Sequence, residues 1–189
     1  MRLSKVKKAI VGKSILIVTD ADGFQWVGDG RSMYLADRAL DLTAENVKAI
    51  MDIDEDKRED WNAFAKDGKG LPWYDQCPLP GDVSLRAIMS VCWMDELVTI
   101  MATSEGEAAA VTQRQIAPAD GKEGLTFALR RTADPETGEL DDPMVVCFSD
   151  MLASAILTPL PAKVMDEIWR KMRDASAMGM RYCMEEAEE

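Results

Sequence analysis

The sequence predicts an α+β fold with mainly antiparallel strands, a helix near residues 43–53 and a long C-terminal helix. Two observations lead to this class. Short apolar runs rich in β-branched residues are separated by turn dipeptides such as Asp29-Gly30, a pattern typical of strands joined by tight hairpins. Towards the C-terminus, apolar residues instead recur every three or four positions, which is the period of an amphipathic helix.

The N-terminal segment predicts a three-stranded meander. The run SILIVT at residues 14–19 is short and β-branched, and the turn ADG follows it. The segment FQWVG then alternates aromatic and polar residues before the turn at Asp29-Gly30. The segment RSMYLA supplies the third strand of the meander.

A helix near residues 43–53 is predicted next, because Thr43 is a favourable N-cap and an apolar stripe follows it. The stripe consists of Val47, Ile50 and Met51. Residues 54–69 are dense in charge, and Trp61 and Phe64 are the expected anchors of a further short helix.

Residues 70–82, GLPWYDQCPLPGD, contain three prolines and two glycines, which is typical of a connection. This segment is the predicted boundary between an N-terminal unit at residues 1–69 and a C-terminal unit at residues 83–189. A single compact domain is the alternative organisation.

The second half predicts further strands. Residues 85–94 and 97–103 form a hairpin joined at Asp95-Glu96, and EAAAVTQRQIA is one more strand. The strands LTFALRRT and MVVCFSD flank a loop made of turn residues. MLASAILTPLP contains a last strand that ends before Pro159, because proline cannot continue the ladder.

The long C-terminal helix is predicted over residues 162–185, where an apolar stripe recurs at alternating spacings of four and three. The stripe consists of Met165, Ile168, Met172, Ala175, Gly179 and Tyr182. Trp169 borders it. Packing of this helix on the protein's own sheet is the favoured interpretation, and a contact between subunits is the alternative.

Composition bounds the function. The chain has 189 residues, a net charge of −12, no histidine and four cysteines. Its acidity disfavours non-specific binding of nucleic acid or membranes by the whole surface. The lack of histidine excludes catalytic triads that contain histidine and metal sites that use histidine ligands. No Cys-x-x-Cys motif is present, so free thiols in a reducing cytoplasm are predicted. No apolar run is long enough to predict a membrane span.

Two Asp-Gly motifs, TDADG at residues 19–23 and GDG at residues 28–30, resemble loops of haloacid-dehalogenase-type phosphatases. Such a site draws its parts from separate strands of a doubly wound sheet. Here Asp20 and Asp29 would lie in one hairpin, and Phe24 stands where a small polar residue is usual. The motifs therefore predict turns, and no catalytic, cofactor-binding or metal-binding residue is assigned.

Aromatic and apolar side chains give the predicted interface. Trp73 and Tyr74 lie inside the proline-rich connection, where aromatic residues can anchor a partner. Trp169, Met172 and Tyr182 on the last helix complete the set. A protein partner or self-association is therefore expected.

Three segments together resemble parts of DNA sliding clamps, the processivity factors of replication. These are PMVVCFSDMLASAILTPL at residues 143–160, LVTIMATSEGEAAAV at residues 97–111, and DGFQWVGDGRSMYLAD with the capped helix after it. The likeness covers about half of the chain. It implies a subunit of an oligomer that directs basic helix faces towards DNA. The predicted DNA-facing residues are Lys163, Arg170, Lys171, Arg173 and Arg181.

The predicted function is that of a non-catalytic, cytoplasmic binding or assembly protein. Its most specific form is a sliding-clamp-like accessory of DNA replication, carried by a mobile element. One alternative is a small acidic regulator that binds a basic protein surface through residues 52–60 and 134–142. Another is a metal-dependent enzyme, in which acidic residues converge in one cleft. Those residues are Asp20, Asp22, Asp29, Asp141 and Asp142.

Overall fold

A computed structural model describes residues 3–119, 124–133, 137–149 and 151–186 of the chain, with side chains described as far as Met178. The helices in these residues are α1 (Leu3–Ala9), α2 (Val47–Ile50), α3 (Gln113–Ile116) and α4 (Ala162–Glu186). The strands are β1 (Ser14–Thr19), β2 (Gln25–Gly28), β3 (Ser32–Leu35), β4 (Asn62–Asp67), β5 (Val83–Trp93), β6 (Glu96–Ala102), β7 (Ala108–Thr112), β8 (Thr126–Arg130), β9 (Met144–Ser149) and β10 (Leu152–Leu157). Short 3-10 helices lie at Glu55–Asp60 and Pro72–Tyr74.

The ten strands form one sheet in the order β4-β1-β2-β3-β10-β9-β8-β5-β6-β7. The predicted α+β class is confirmed, but the sheet is mixed rather than mainly antiparallel. β4 pairs parallel with β1, from Ser14 opposite Asn62 to Thr19 opposite Asp67. The predicted meander of β1, β2 and β3 is present, with antiparallel neighbours throughout.

Within residues 54–69, where a short helix was predicted, the 3-10 helix at Glu55–Asp60 is followed by the parallel strand β4. Trp61 is half-buried against the core, whereas Phe64 is 55% exposed and anchors no helix. The backbone of β4 completes its hydrogen bonds with the edge of β1, and this distant pairing outweighs the local helical preference of a charged segment. The predicted short helix is therefore present only as the 3-10 helix at Glu55–Asp60, with Trp61 at its C-terminal end and Phe64 in β4.

The two faces of the sheet carry separate apolar clusters. On one face, α1, α2 and α3 contribute Val6, Val47 and Ile116 to a cluster that includes Ile15 and Val27 from the sheet. The cluster on the other face consists of Val18, Trp26, Met33, Ala128, Val146, Phe148, Ala153 and Ile156. The half-buried Tyr74, from the proline-rich connection, packs against this second cluster.

Several boundaries differ from the sequence prediction. The helix near residues 43–53 is reduced to α2, preceded by turns in which Thr43 and Asn46 cap each other through their side chains. The predicted strand EAAAVTQRQIA ends at Thr112, where a capping box with Gln115 starts α3. Helix α1 had no counterpart in the prediction. These short helices follow from caps and packing rather than from long periodic patterns.

The proline-rich segment at residues 70–82 does not divide the sheet, because β3 pairs with β10 from the other half of the chain. The chain instead separates into two compact units, one ending at Pro159 and the other beginning at Leu160. The second unit contains α4, which agrees with the helix predicted over residues 162–185.

The stripe on α4 is buried at Met165 and Ile168, half-buried at Met172 and exposed at Ala175. The side chain of Tyr182, and the position of Gly179 on the stripe, lie outside the described side chains. None of the helices in the described part of the chain has the length and apolar composition needed to cross a membrane.

Candidate functional site

Asp20, the first acidic residue of the TDADG motif, is a structural residue of the turn between β1 and β2. Its side chain is buried, with a residue exposure of 4%. Oδ1 accepts hydrogen bonds from the backbone N–H groups of Asp22 (3.1 Å) and Phe24 (2.8 Å). Oδ2 accepts from Trp26 Nε1 (3.0 Å) and Gln76 Nε2 (3.3 Å). Both carboxylate oxygens are therefore occupied by donors from this chain.

Asp29, the acidic residue of the GDG motif, has the same role in the turn between β2 and β3. Oδ1 accepts from the backbone N–H groups of Arg31 and Ser32, and Oδ2 accepts from the N–H of Val11 (3.0 Å). The preceding Gly28 is needed because a Cβ there would lie 1.7 Å from the carbonyl oxygen of Ser32. The prediction that both motifs form hairpin turns agrees with this geometry.

The acidic residues considered for a metal-dependent enzyme are not brought together. Asp20 and Asp29 lie at opposite ends of β2, and Asp141 Oδ2 accepts from Thr132 Oγ1 (2.9 Å) and Trp73 Nε1 (3.2 Å). Within the described ranges, no group of three or more Asp, Glu or Cys side chains could hold a metal ion. Hairpin geometry explains the separation, because successive turns of a meander lie at opposite ends of the strands.

The proline-rich connection is organised by Arg130, which the sequence analysis did not single out. Arg130 has no solvent exposure. Its guanidinium forms a two-bond ion pair with Asp82, from Nε to Oδ1 (2.8 Å) and from one terminal nitrogen to Oδ2 (2.7 Å). Its remaining N–H groups donate to backbone carbonyls of the connection. The accepting residues are Pro72, Trp73, Asp75 and Cys77.

This arrangement satisfies all the donors of a guanidinium that has been removed from water. A sequence signal for it existed: Arg130 ends an apolar strand, and Asp82 ends a connection without regular structure whose carbonyls need donors. The pairing could not be derived, because 48 residues separate the two side chains. Among the described residues, no buried side-chain nitrogen or oxygen is left without a hydrogen-bond partner.

The predicted interface residues of the connection have partners inside the chain. Trp73 is half-buried and donates to Asp141. The ring of Tyr74 lies 5.8 Å from that of Trp26, and burial raises the pKa of the Tyr74 hydroxyl. Trp169 on α4 is 40% exposed, and Met172 is half-buried. Their role at an interface stays a prediction.

The predicted DNA-facing residues lie on the exposed part of α4, except for Arg181, whose side chain is outside the described residues. Lys163, Arg170, Lys171 and Arg173 are all exposed. Acidic residues interrupt this set, and the guanidinium of Arg170 lies 4.0 Å from the carboxylate of Glu167. The helix therefore presents mixed charge, and DNA binding stays a prediction.

The acidic segment at residues 52–60 has basic partners within the chain. Lys13 pairs with Asp60 (2.9 Å) and Lys57 pairs with Asp54 (2.6 Å). These hydrogen bonds hold the pKa of each carboxyl below its ordinary value. Residues 134–136 of the second acidic segment lie outside the described residues. An acidic face that joins the two segments also stays a prediction.

Two clefts open near the hairpin turns. The larger, about 500 Å³, is lined by the turn at residue 23 and by residues 36–41, and the guanidinium of Arg38 lies 3.9 Å from the centre of the Phe24 ring. The smaller, about 260 Å³, lies between Asp20 and Leu71. Among the described residues, neither cleft contains a buried side-chain nitrogen or oxygen without a hydrogen-bond partner.

The hairpin of β5 and β6 differs from these regions in its strand pairing and in the exposure of its apolar side chains. Residues 83–85 of β5 pair with β8, and from Arg86 onwards β5 pairs with β6. On the opposite side of residues 86–93, the described part of the chain supplies no further strand. The hairpin turns at Met94 and Asp95, whose φ angles of 48° and 64° suit a tight two-residue turn.

Apolar side chains on this hairpin are exposed to solvent. Ile88 is 56% exposed, Leu97 is 47% exposed and Met94 is 83% exposed. Residues 87–93, AIMSVCW, contain no charge, proline or glycine. Free edges in monomeric proteins are usually protected by charges or proline, as β4 is by Lys66 and Asp67. Residues 87–93 of β5 carry no such protecting charge or proline.

Searches of protein-family descriptions, of curated proteins and of solved structures found no match to this chain. The likeness to sliding clamps consequently stays a prediction that these comparisons do not address.

Proposed function

We propose that this protein acts by binding another protein chain along β5, on the side of residues 87–92 where the described part of the chain supplies no neighbouring strand, so that it belongs to the binding and assembly class. The observation that carries the proposal is the uncharged stretch at residues 87–93 of β5, where the apolar side chains of Ile88 and Met89 are exposed although the strand is part of the sheet. Addition of a strand to such an edge is a common mode of peptide and protein recognition.

The edge offers two sources of binding free energy. Alternate residues of an antiparallel edge direct both N–H and C=O outwards, and each new backbone hydrogen bond contributes about 0.5–1.5 kcal/mol net. Burial of apolar surface on Ile88, Met89 and Leu97 adds about 25 cal/mol per Å². The backbone groups give affinity for any extended strand, while the apolar side chains select a partner with a matching apolar face.

Leaving this edge uncovered has a cost that supports the proposal. A segment of seven residues with high β-propensity, no charge and no proline is prone to aggregate when exposed. A register shift at Ile88, between the pairings of Ala87 and Met89, bends the strand and limits uncontrolled pairing. The bulge protects the edge in part, and a specific partner would complete the protection.

Site-specific photo-crosslinking in the cells that make the protein tests this proposal. A photoreactive amino acid at Ile88 should give a discrete protein adduct. The matched control is the same substitution at Phe64, which is equally exposed, at 55%, on the charged edge strand β4. An adduct at residue 88 that is absent at residue 64 supports the proposal. Equal labelling at both positions, or no adduct at residue 88, contradicts it.

A further inference from the structure

We infer that the larger cleft, at the end of the β1–β2 hairpin, binds a small zwitterionic ligand of the amino-acid or short-peptide class. The inference goes beyond the proposed function, because it concerns other residues and a small molecule rather than a strand. The volume of the cleft is about 500 Å³, which lies within the range of about 300 to 1,000 Å³ that is usual for small-molecule sites.

One wall of the cleft, residues 36–41, is held to the sheet at both ends by Gln25. The backbone carbonyl of Gln25 accepts a hydrogen bond from the N–H of Ala36 (2.7 Å). The side-chain amide of Gln25 donates to the carbonyl of Leu42 (2.9 Å) and accepts from its N–H (2.6 Å). Because these contacts fix the wall without a ligand, binding does not have to order a loop, which reduces its entropic cost.

Arg38 is the cation of the cleft. Its guanidinium lies 3.9 Å from the centre of the Phe24 ring, which belongs to the opposite wall. Arg38 is exposed, and it forms no ion pair with any carboxylate in the described part of the chain. The cation–π contact holds the guanidinium in place and leaves its N–H groups available. A guanidinium of this kind suits a carboxylate, which it binds through two parallel hydrogen bonds.

Asp41 supplies an unpaired carboxylate to the same cleft. Its backbone carbonyl accepts from Asn46 Nδ2 (2.7 Å), but its exposed carboxylate forms no ion pair with a basic group among the residues that the structure describes. A cation and a carboxylate that are both unpaired in one cleft complement a ligand with a carboxylate and an ammonium group. Asp37 adds a second acidic side chain, so ligands with a net negative charge, such as phosphate esters, are disfavoured.

Apolar side chains complete the lining and indicate the rest of the ligand. Phe24 and Leu40 are half-buried, and Ala36 is buried. Contact with these side chains stabilises an aliphatic group of the ligand by removing it from water. The expected ligand is therefore a neutral amino acid or short peptide with free ends and an apolar side chain. For a ligand of this size, we expect a dissociation constant of about 0.1 to 1 mM.

Isothermal titration calorimetry with L-leucine, Gly-Leu and Gly-Gly-Leu tests this inference, because the three probes differ in the distance between ammonium and carboxylate. At least one probe should bind with the dissociation constant expected above. Acetylation of its amino group, or amidation of its carboxyl group, should each weaken binding about tenfold, because each removes one charge. Lack of binding by all three probes at about 10 mM overturns the inference, as does equal binding of the free and blocked forms.

Two variants assign the charges to their residues. Arg38→Met should bind the free and amidated probes equally, and Asp41→Asn should bind the free and acetylated probes equally. The matched controls are Arg31→Met and Asp142→Asn, which are exposed outside the cleft and should keep the parent's preferences. Because all four positions are exposed, melting temperatures should stay close to that of the parent, which shows that the variants are folded. An Arg38→Met variant that still prefers the free carboxylate overturns the inference. The crosslink at Ile88 does not depend on this cleft, so the two proposals fail independently.

Discussion

The proline-rich connection and the β5–β6 hairpin are adjacent in sequence but differ in secondary structure and in how far their groups are buried or paired within the chain. The connection has little regular structure, yet Arg130 donates six hydrogen bonds to it and to Asp82. The hairpin has regular pairing, yet it exposes the apolar side chains of Ile88, Met94 and Leu97 to solvent. Regular secondary structure is therefore no guide to which region is complete by itself. The hydrogen-bonding groups of the irregular segment are satisfied within the chain, whereas the regular hairpin leaves apolar side chains exposed.

The largest expected effect comes from removing the buried cation that holds the connection. Arg130→Met leaves the carboxylate of Asp82 buried without its partner, so the free energy of unfolding should fall by about 3 to 5 kcal/mol. Urea denaturation measures this change. The matched control is Arg131→Met at the next position, where the ion pair with Glu107 is exposed and the loss should be less than about 1 kcal/mol. Similar losses for both variants would mean that Arg130 does not hold the connection.

A smaller effect is expected at the other polar anchor of the connection. The carboxylate of Asp20 accepts four hydrogen bonds, one of them from Gln76 in the connection. Asp20→Asn replaces one of its two acceptor oxygens by an NH₂ group, which cannot accept these hydrogen bonds. The free energy of unfolding should fall by about 1 to 3 kcal/mol. Asp22→Asn, at an exposed position of the same turn, should cost less than about 0.5 kcal/mol. Equal stability of the two variants would mean that the buried hydrogen bonds of Asp20 do not stabilise the turn.

Alkaline pH should weaken the connection through Tyr74. Burial raises the pKa of its hydroxyl in the folded state, so the folded protein keeps this proton when the unfolded chain has lost it. Stability is therefore present below the ordinary tyrosine pKa of about 10 and is lost as the pH rises above it. Melting temperatures measured from pH 8 to about 11 should decline less steeply in Tyr74→Phe than in the parent protein. Identical slopes would show that Tyr74 titrates alike in both states.

The smallest expected effect compares a thiol from each region. Cys77 in the connection and Cys92 in the hairpin are both exposed, whereas Cys147 is buried and burial raises the pKa of its thiol. In a Cys183→Ser background, a thiol reagent should label the first two quickly and Cys147 only slowly. Peptide mass spectrometry after timed labelling measures the three rates. Labelling of Cys147 as fast as that of Cys77 would mean that the sheet opens around Cys147.

Local chemistry was sufficient to predict much of the fold. Turn dipeptides such as Asp29-Gly30 located the meander, and the apolar period located α4, because each signal arises within a few neighbouring residues. The mixed sheet was not predictable in the same way. The parallel pairing of β4 joins residues 14 and 62, and nothing in the sequence around Asn62 specifies that partner. A charged, polar segment that pairs only through its backbone leaves no pattern of side chains to detect.

The candidate site was less predictable than the fold. The segment AIMSVCW has the composition of a buried strand, and the sequence gives no indication that Ile88 is exposed. Its exposure depends on where β8 stops pairing with β5, which is a property of the assembled sheet. The aromatic residues predicted at an interface, Trp73 and Tyr74, have intramolecular partners for a similar reason. Exposure is decided by distant parts of the chain, and composition alone does not report it.

The pairing of β3 with β10 has a consequence for folding during synthesis on the ribosome. The meander ends at Leu35, and the strand that covers its open side begins only at Leu152. At about 5 to 20 residues per second, translation takes roughly 6 to 23 seconds to cover that distance. Throughout this interval the edge of β3 that later pairs with β10 has no partner strand. The nascent chain therefore has an incomplete sheet until β10 has been synthesised. Chaperones that bind exposed apolar strands have time to bind it before then.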